Sequence, residues 1–160
     1  GLIRHGITDY NKYERLQGWL DIPLNDYGKQ QAMVIAYKLL DDHRWNLIIS
    51  SDLLRAIQTA KIISDVNDIP MISSDAIRER TFGIYEGQKL SNCRNMKTDY
   101  LEKKECFEKR VIDFISKTIS SKQNQNIIIV SHQGVQKVIS NYLGNKINTF
   151  AHTELYTFSV

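Results

Sequence analysis

The chain has 160 residues, 42% of them hydrophobic and 24% charged, with a formal net charge of +3. That balance suits one folded domain with a sizeable core and excludes an intrinsically disordered chain. So mild a basic excess gives no support to nucleic-acid binding, and no apolar run approaches the roughly 18 residues of a membrane span.

The two cysteines, Cys93 and Cys106, form no CxxC pair, so they read as ordinary thiols in a reducing, cytoplasmic compartment. The chain opens on glycine inside a strand-like run, with no signal-peptide pattern, and residues upstream of Gly1 are expected. No repeat, linker or low-complexity tract interrupts it. A single domain over residues 1–160 is the expectation.

The first element is "GLIRHG", an apolar run that ends in Arg4, His5 and Gly6. After "PLNDYG", Asn25 is a plausible N-cap for a helix from Asp26 to Asp42, with Ala32, Ile35, Ala36, Leu39 and Leu40 as its apolar stripe. "NLIISSDLLRA" repeats the grammar of the first run. Leu47 to Ile49 form a strand, Ser50-Ser51-Asp52 a turn, and Ser51 is expected to cap the next helix. The stripe of that helix is Leu53, Ala56, Ile57, Ala60 and Ile63, with Arg55 off it in the first turn.

A third long helix is expected from Thr98 to Ser120, on the stripe Phe107, Val111 and Phe114. Lys103, Lys104, Glu105, Glu108 and Lys109 read as its wet face, and Glu105 stands in the favourable order four residues before Lys109. "NIIIVSHQG" follows: Ile127 to Val130 as a strand, then Ser131-His132-Gln133-Gly134, then a helical pattern. "ELYTFSV" at 154–160 alternates like a last strand. Short isoleucine-rich runs indicate strands buried on both faces. Strand, turn and helix in repetition predict an α/β domain, three layers deep, around a mainly parallel sheet.

In such a sheet, ligands bind beyond the carboxyl ends of the strands. Arg4, His5, Arg55 and His132 would then meet at one edge, near helix N-termini that also favour anions. Two arginines crowded together repel unless an anion lies between them, and the guanidinium fork suits phosphate. Metal binding is the natural rival for a histidine pair. Yet His5, His43, His132 and His152 show no HxxxH or HExxH spacing, and no cysteine pair joins them. No metal and no cofactor are expected.

"LIRHG" followed by Thr8 and Asn11 resembles the histidine phosphatase superfamily, which holds the cofactor-dependent phosphoglycerate mutases and many small phosphatases. "LQGWLDIPLNDYGKQQA" (16–32), "SSDLLRAIQTA" (50–60), "RERTFGIYEG" (78–87) and "VSHQG" (130–134) extend the resemblance over most of the chain. The resemblance implies a phosphoglycerate mutase-like fold and a set of roles. His5 would be the nucleophile that forms a phosphohistidine. Arg4, Arg55 and His132 would hold the phosphoryl oxygens, and Asn11 would donate to the same group. Glu79 would protonate the leaving oxygen and then activate water, with Glu86 as the competing carboxylate. Gln17 and Gly18 would border the substrate.

Physical chemistry adds conditions to these roles. His5 must present an unprotonated nitrogen, so its other nitrogen should donate to a fixed acceptor, a backbone carbonyl. Gly6 would let the main chain pass close to the phosphate. Glu79 must hold a proton for the first step, which the dianion of bound substrate favours, so it should act as an acid only in the complex.

Two positions depart from the family pattern. Ile7 stands where Glu or Gln is frequent, and Gln133 where glycine is common, adding a bulky donor beside His132. The short stretch from Gly87 to Phe107 gives a small cover, Gln88 to Lys104, with Tyr85, Arg94, His152 and Glu154 as candidate rim residues. A small cover excludes water poorly, which favours a phosphatase over a mutase, and the intact His5, Glu79 and His132 argue against a slow phosphate-binding module. The expected partner is a small phosphorylated metabolite, without nucleic acid or membrane.

Overall fold

A computed structural model of the chain describes residues 1–42, 44–122 and 124–159. Five strands form one sheet: β1 (Leu2–Arg4), β2 (Leu47–Ser51), β3 (Met71–Ser74), β4 (Ile127–Ser131) and β5 (Leu155–Tyr156). Their order is β3-β2-β4-β1-β5, and every pairing is parallel except that of β5 with β1. Around it lie α1 (Asp9–Lys12), α2 (Asp26–Leu39), α3 (Leu54–Asn67), α4 (Lys104–Ser121) and α5 (Gln133–Tyr142). The mainly parallel α/β architecture read from the sequence is the one observed.

The strand residues explain the three layers. Ile3, Ile48, Ile128 and Val130 point to one face and pack with Ile35, Ala36 and Leu39 of α2 and Ala56, Ala60 and Ile63 of α3. Leu2, Leu47, Ile49 and Ile129 point to the other and meet Phe107, Val111 and Ile115 of α4 and Val135, Val138 and Ile139 of α5. Alternate side chains leave a strand on opposite faces, so a continuous apolar run feeds two cores at once.

The helix after β1 lies on one face and the helix after β4 on the other, although β1 and β4 are neighbours. The connections therefore leave these two parallel strands over opposite faces of the sheet, and such a switch point opens a crevice at their carboxyl ends. His5 and His132 are the residues that follow β1 and β4.

The structure corrects several boundaries. β3 was not expected, because "MISS" is an edge strand with Ile72 and Ser73 exposed and carries no apolar run. Helix α2 stops at Leu39, where Leu40 and Asp42 donate to carbonyls three residues back and tighten the last turn; Leu40 is exposed rather than on the stripe. Helix α3 starts at Leu54 with Leu53 as N-cap and no side-chain cap of its own. Asp21 Oδ1, from a distant loop, accepts from Leu54 N at 2.6 Å in the place expected of Ser51. On α3, Arg55 and Thr59 are buried, whereas Ile57 is only half-buried.

Helix α4 begins at Lys104, because Glu102 N is tied to Thr81 O at 3.2 Å and Lys103 stays extended; Thr98–Tyr100 is a separate short turn. Its surface pairs are Lys104–Glu108 and Lys109–Asp113, so Lys109 reaches forward instead of back to Glu105. β5 covers two residues of the expected last strand. His43 and Val160 lie outside the described residues.

Candidate active site

His5 follows β1 directly. Its N–H donates to Ser131 O at 3.0 Å, which extends the β1–β4 ladder by one bond and fixes the residue at the crevice. The ring is buried, with Nδ1 2.8 Å from Gly6 O. A carbonyl only accepts, so the proton sits on Nδ1 and Nε2 carries a free lone pair. Burial holds this imidazole well below its usual basicity, and the nearby Arg55, His132 and His152 lower it further. The backbone acceptor expected for this tautomer is thus Gly6 O.

Gly6 is packed against the backbone of Gly28. A Cβ there would stand 2.5 Å from Gly28 O, and a Cβ on Gly28 would stand 2.0 Å from Ile7 O. The two glycines let the loop after β1 cross the start of α2 backbone against backbone. Gly6 N also donates to Thr59 Oγ1 at 3.0 Å, which ties the loop to α3.

Arg55 is 1% exposed in the first turn of α3. Its Nη1 donates to Leu20 O at 2.9 Å and its Nη2 to Gly18 O at 2.8 Å, so the loop that carries Gln17 and Gly18 wraps the guanidinium. Burial lowers its pKa to about 10, against the opposing pull of Glu79, Asp21 and Glu86. Arg4 is partly buried and donates through Nη1 to Phe150 O at 3.1 Å and to Gln133 Oε1. Burial lowers its pKa as well. Among the described residues neither arginine forms an ion pair, and both keep a buried Nε without a partner. Charges buried without a counterion are costly, so the pair marks a site for an anion.

His132 is the N-cap of α5 and is 1% exposed. Its ring centroid lies 5.2 Å from that of His5, and its Nε2 lies 2.9 Å from Ser51 Oγ. Ser51, expected as a helix cap, therefore serves the histidine instead. Burial first, then Arg55, Arg4 and Arg110, keep the ring well below its usual basicity.

Glu79 reaches the same helix end: Oε2 accepts from Gly134 N at 3.0 Å and Oε1 from Arg80 N at 2.9 Å. A Cβ on Gly134 would stand 2.3 Å from Glu79 Oε1, so glycine is what admits the carboxylate. Glu86 is occupied elsewhere. Its Oε1 accepts from Trp19 N, Thr81 Oγ1 and Phe82 N at 2.8 to 3.0 Å, which makes it a loop anchor.

The remaining predicted residues fall around this centre. Thr8 and Asn11 form a reciprocal cap on α1 that uses Asn11 Oδ1, while the side-chain Nδ2 of Asn11 has no partner among the described residues. Asn11, Arg4 and His152 share the wall of an open cavity of about 840 Å³, to which His5 itself does not contribute. Gln17 Oε1 lies 3.0 Å from Thr8 Oγ1. Gln133, expected as a donor beside His132, uses its oxygen to hold Arg4. Of the candidate rim residues, His152 packs on His5 at 5.2 Å. Tyr85 Oη accepts from Lys97 N, Glu154 accepts from Tyr156 Oη, and Arg94 is exposed.

Sequence reading missed a clamp behind Glu79. Arg110 of α4 donates through Nη1 to Ala76 O and Arg78 O, both at 3.0 Å, and through Nη2 to Glu79 O at 3.5 Å. It also forks onto Glu102 at 3.1 and 2.9 Å. Trp19 Nε1 donates to Glu79 O at 2.7 Å from the other side, and Arg78, itself bidentate to Asp52, lies 4.9 Å over the Trp19 ring. The one sequence signal for the clamp was a cation, Arg110, one turn beyond Phe107 on a helix whose other charges are wet.

The chain matches the model of the histidine phosphatase superfamily (branch 1) over residues 1–160. It is 33% identical over 135 residues to the uncharacterized phosphatase PhoE of Bacillus subtilis, covering 82% of this chain and 69% of that protein. It is 43% identical over 100 residues to fructose-2,6-bisphosphatase TIGAR B of Danio rerio, covering 59% of this chain but only 38% of the relative. Among solved structures, the alpha-ribazole phosphatase of Shigella flexneri superimposes with a TM-score of 0.78 at 29% identity, over 90% of this chain and 79% of the other.

Proposed function

Because the chain belongs to the histidine phosphatase superfamily, branch 1, we propose that it hydrolyses small phosphomonoesters through a phosphohistidine on His5. The observation that carries this reading is the pair of arginines, Arg4 and Arg55, without an ion-pair partner among the described residues, beside a histidine that is unprotonated on Nε2.

Nε2 of His5 attacks phosphorus, forming the N–P bond as the bond to the leaving oxygen breaks. Glu79 gives its proton to that oxygen. A water then attacks phosphorus, the N–P bond breaks, Glu79 takes the water's proton, and phosphate departs. Charge on the three transferring oxygens is met by Arg4, Arg55, the amide of Asn11 and His132; positioning and electrostatics supply most of the rate in such reactions. A Ser51 hydroxyl donating to Nε2 of His132 puts the ring proton on Nδ1, the buried nitrogen without a protein partner, and makes it a donor. Gln17 and Gly18 border the substrate, and Gln133 steadies Arg4.

Hydrolysis is favoured over phosphoryl return by the short stretch from Gly87 to Phe107 and by relatives named as phosphatases. The substrate class is a small phosphorylated metabolite. The thiols Cys93 and Cys106 are both free, which supports the cytoplasm as the compartment. Phosphate release from p-nitrophenyl phosphate tests the reading. The wild-type chain should turn it over, His5→Ala should not, and rapid quench should trap acid-labile phosphate on His5. Stable phosphate on a serine or aspartate would overturn it.

A further inference from the structure

The reaction outlined above leaves His152 without a task, although it is the third imidazole of the cluster. Its ring stands edge-on to His5, with centroids 5.2 Å apart and planes at 65°. Its Nδ1 lies 2.5 Å from His5 O. That oxygen only accepts, so the Nδ1 proton is committed and Nε2 presents a lone pair. Nε2 has no hydrogen-bond partner among the described residues, and it is absent from the fully buried unpaired atoms, so it remains reachable. The ring lines the open cavity of about 840 Å³ together with Arg4, Asn11, Lys12, Asp26 and Tyr27. The cavity shares Arg4 and Asn11 with the proposed phosphate site, which puts the His152 ring within the surroundings of a bound ester.

A lone pair repels phosphoryl oxygens, so Nε2 is suited to the leaving group and not to the phosphate. We infer that His152 selects substrates by accepting a hydrogen bond from a donor, a hydroxyl or an ammonium, on the carbon next to the phosphoester carbon. Burial and Arg4 lower the pKa of this ring to about 4, so in the free protein the acceptor is present at neutral pH. Of the charged residues that line the cavity, Arg4 and Lys12 disfavour an ammonium, whereas Asp9 and Asp26 favour one.

The inference rests on the phosphatase reading, and three esters of matched size separate the two. Propyl phosphate has no donor, ethylene glycol monophosphate has a hydroxyl, and phosphoethanolamine has an ammonium. For the wild-type chain, kcat/KM for at least one donor ester should exceed that for propyl phosphate by about tenfold or more. His152→Phe should bring that ratio near one, and His152→Gln, which carries an amide at the reach of Nε2, should restore part of it. The ratio is taken within one preparation, so a loss of folded protein cancels. A ratio unmoved by His152→Phe, or a wild-type chain without donor preference, would overturn the inference alone. No turnover of any ester, p-nitrophenyl phosphate included, would remove the phosphatase reading and this inference with it.

Discussion

At the scale of single residues, the site depends on what is absent as much as on what is present. Gly134 admits Glu79 to the end of α5, where a Cβ would stand 2.3 Å from Oε1. Gly134→Ala must displace the carboxylate, whose flexible end can move at little cost to the fold. We expect kcat on p-nitrophenyl phosphate to fall about 10- to 100-fold, since misplacement of a catalytic group by about an ångström costs on that order. The melting temperature should stay close to wild type, and Glu79→Gln gives the reference loss of about 10²- to 10⁴-fold. Arg4, His5, Arg55 and His132 were legible in the sequence because each follows an apolar run or opens a helical one. The packing of Gly6 on Gly28 and the side-chain partners of Ser51 and Gln133, His132 and Arg4, were not legible, because those partners are 22, 81 and 129 residues away.

Between elements, two contacts hold the site in shape. The first is the crossing of Gly6 and Gly28, where backbone meets backbone and neither side has a flexible end to yield. Gly28→Ala should therefore destabilise the protein by about 1–3 kcal/mol in urea melts, the usual cost of overpacking, although alanine is otherwise the better helix former. The second is the Arg110–Glu102 clamp, which ties α4 and the end of the 88–103 stretch to the carbonyls of residues 76–79. Arg110→Met keeps an unbranched apolar stem but removes the guanidinium that lies over Phe107 and holds those carbonyls. We expect kcat to fall about tenfold or more with KM little changed, because Glu79 loses its support and not the substrate its binding. A larger loss of KM than of kcat would argue against that role. The start of α2 was legible, since Asn25 Oδ1 accepts from Gly28 N at 2.8 Å as the expected N-cap, whereas the starts of α3 and α4 were not. The start of α3 is set by Asp21 and that of α4 by Thr81, both from segments remote in the chain.

For the whole molecule, burying three neutral imidazoles links stability to pH. His5, His132 and His152 all have folded-state pKa values below the ordinary 6.5, to about 4 for His152. As pH falls below 6.5 the unfolded chain takes up protons that the folded chain refuses, so stability declines from there down through the folded values. Asp52, held low by Arg78, adds a loss of the same sign below its ordinary 3.8. Melting temperature should thus fall steadily between pH 6.5 and 4.5 (the interval framed by those values), and His152→Gln should make the slope shallower. A flat profile across that interval would contradict the burial of these rings.

The sequence alone determined the chemistry on offer. Isoleucine-rich runs that end in Arg-His or Ser-His specify strands buried on both faces with a cation or an imidazole at their carboxyl ends, and that follows from local pattern. Only the tertiary structure decided the strand order that makes β1 and β4 neighbours, and so sets His5 beside His132 at a switch point. It also decided that burial lowers the basicity of the three imidazoles, that Arg4 and Arg55 form no ion pair among the described residues, and that Arg110 stands behind Glu79. Desolvation and pairing belong to a residue's surroundings, and those surroundings come from segments that the chain brings together only on folding.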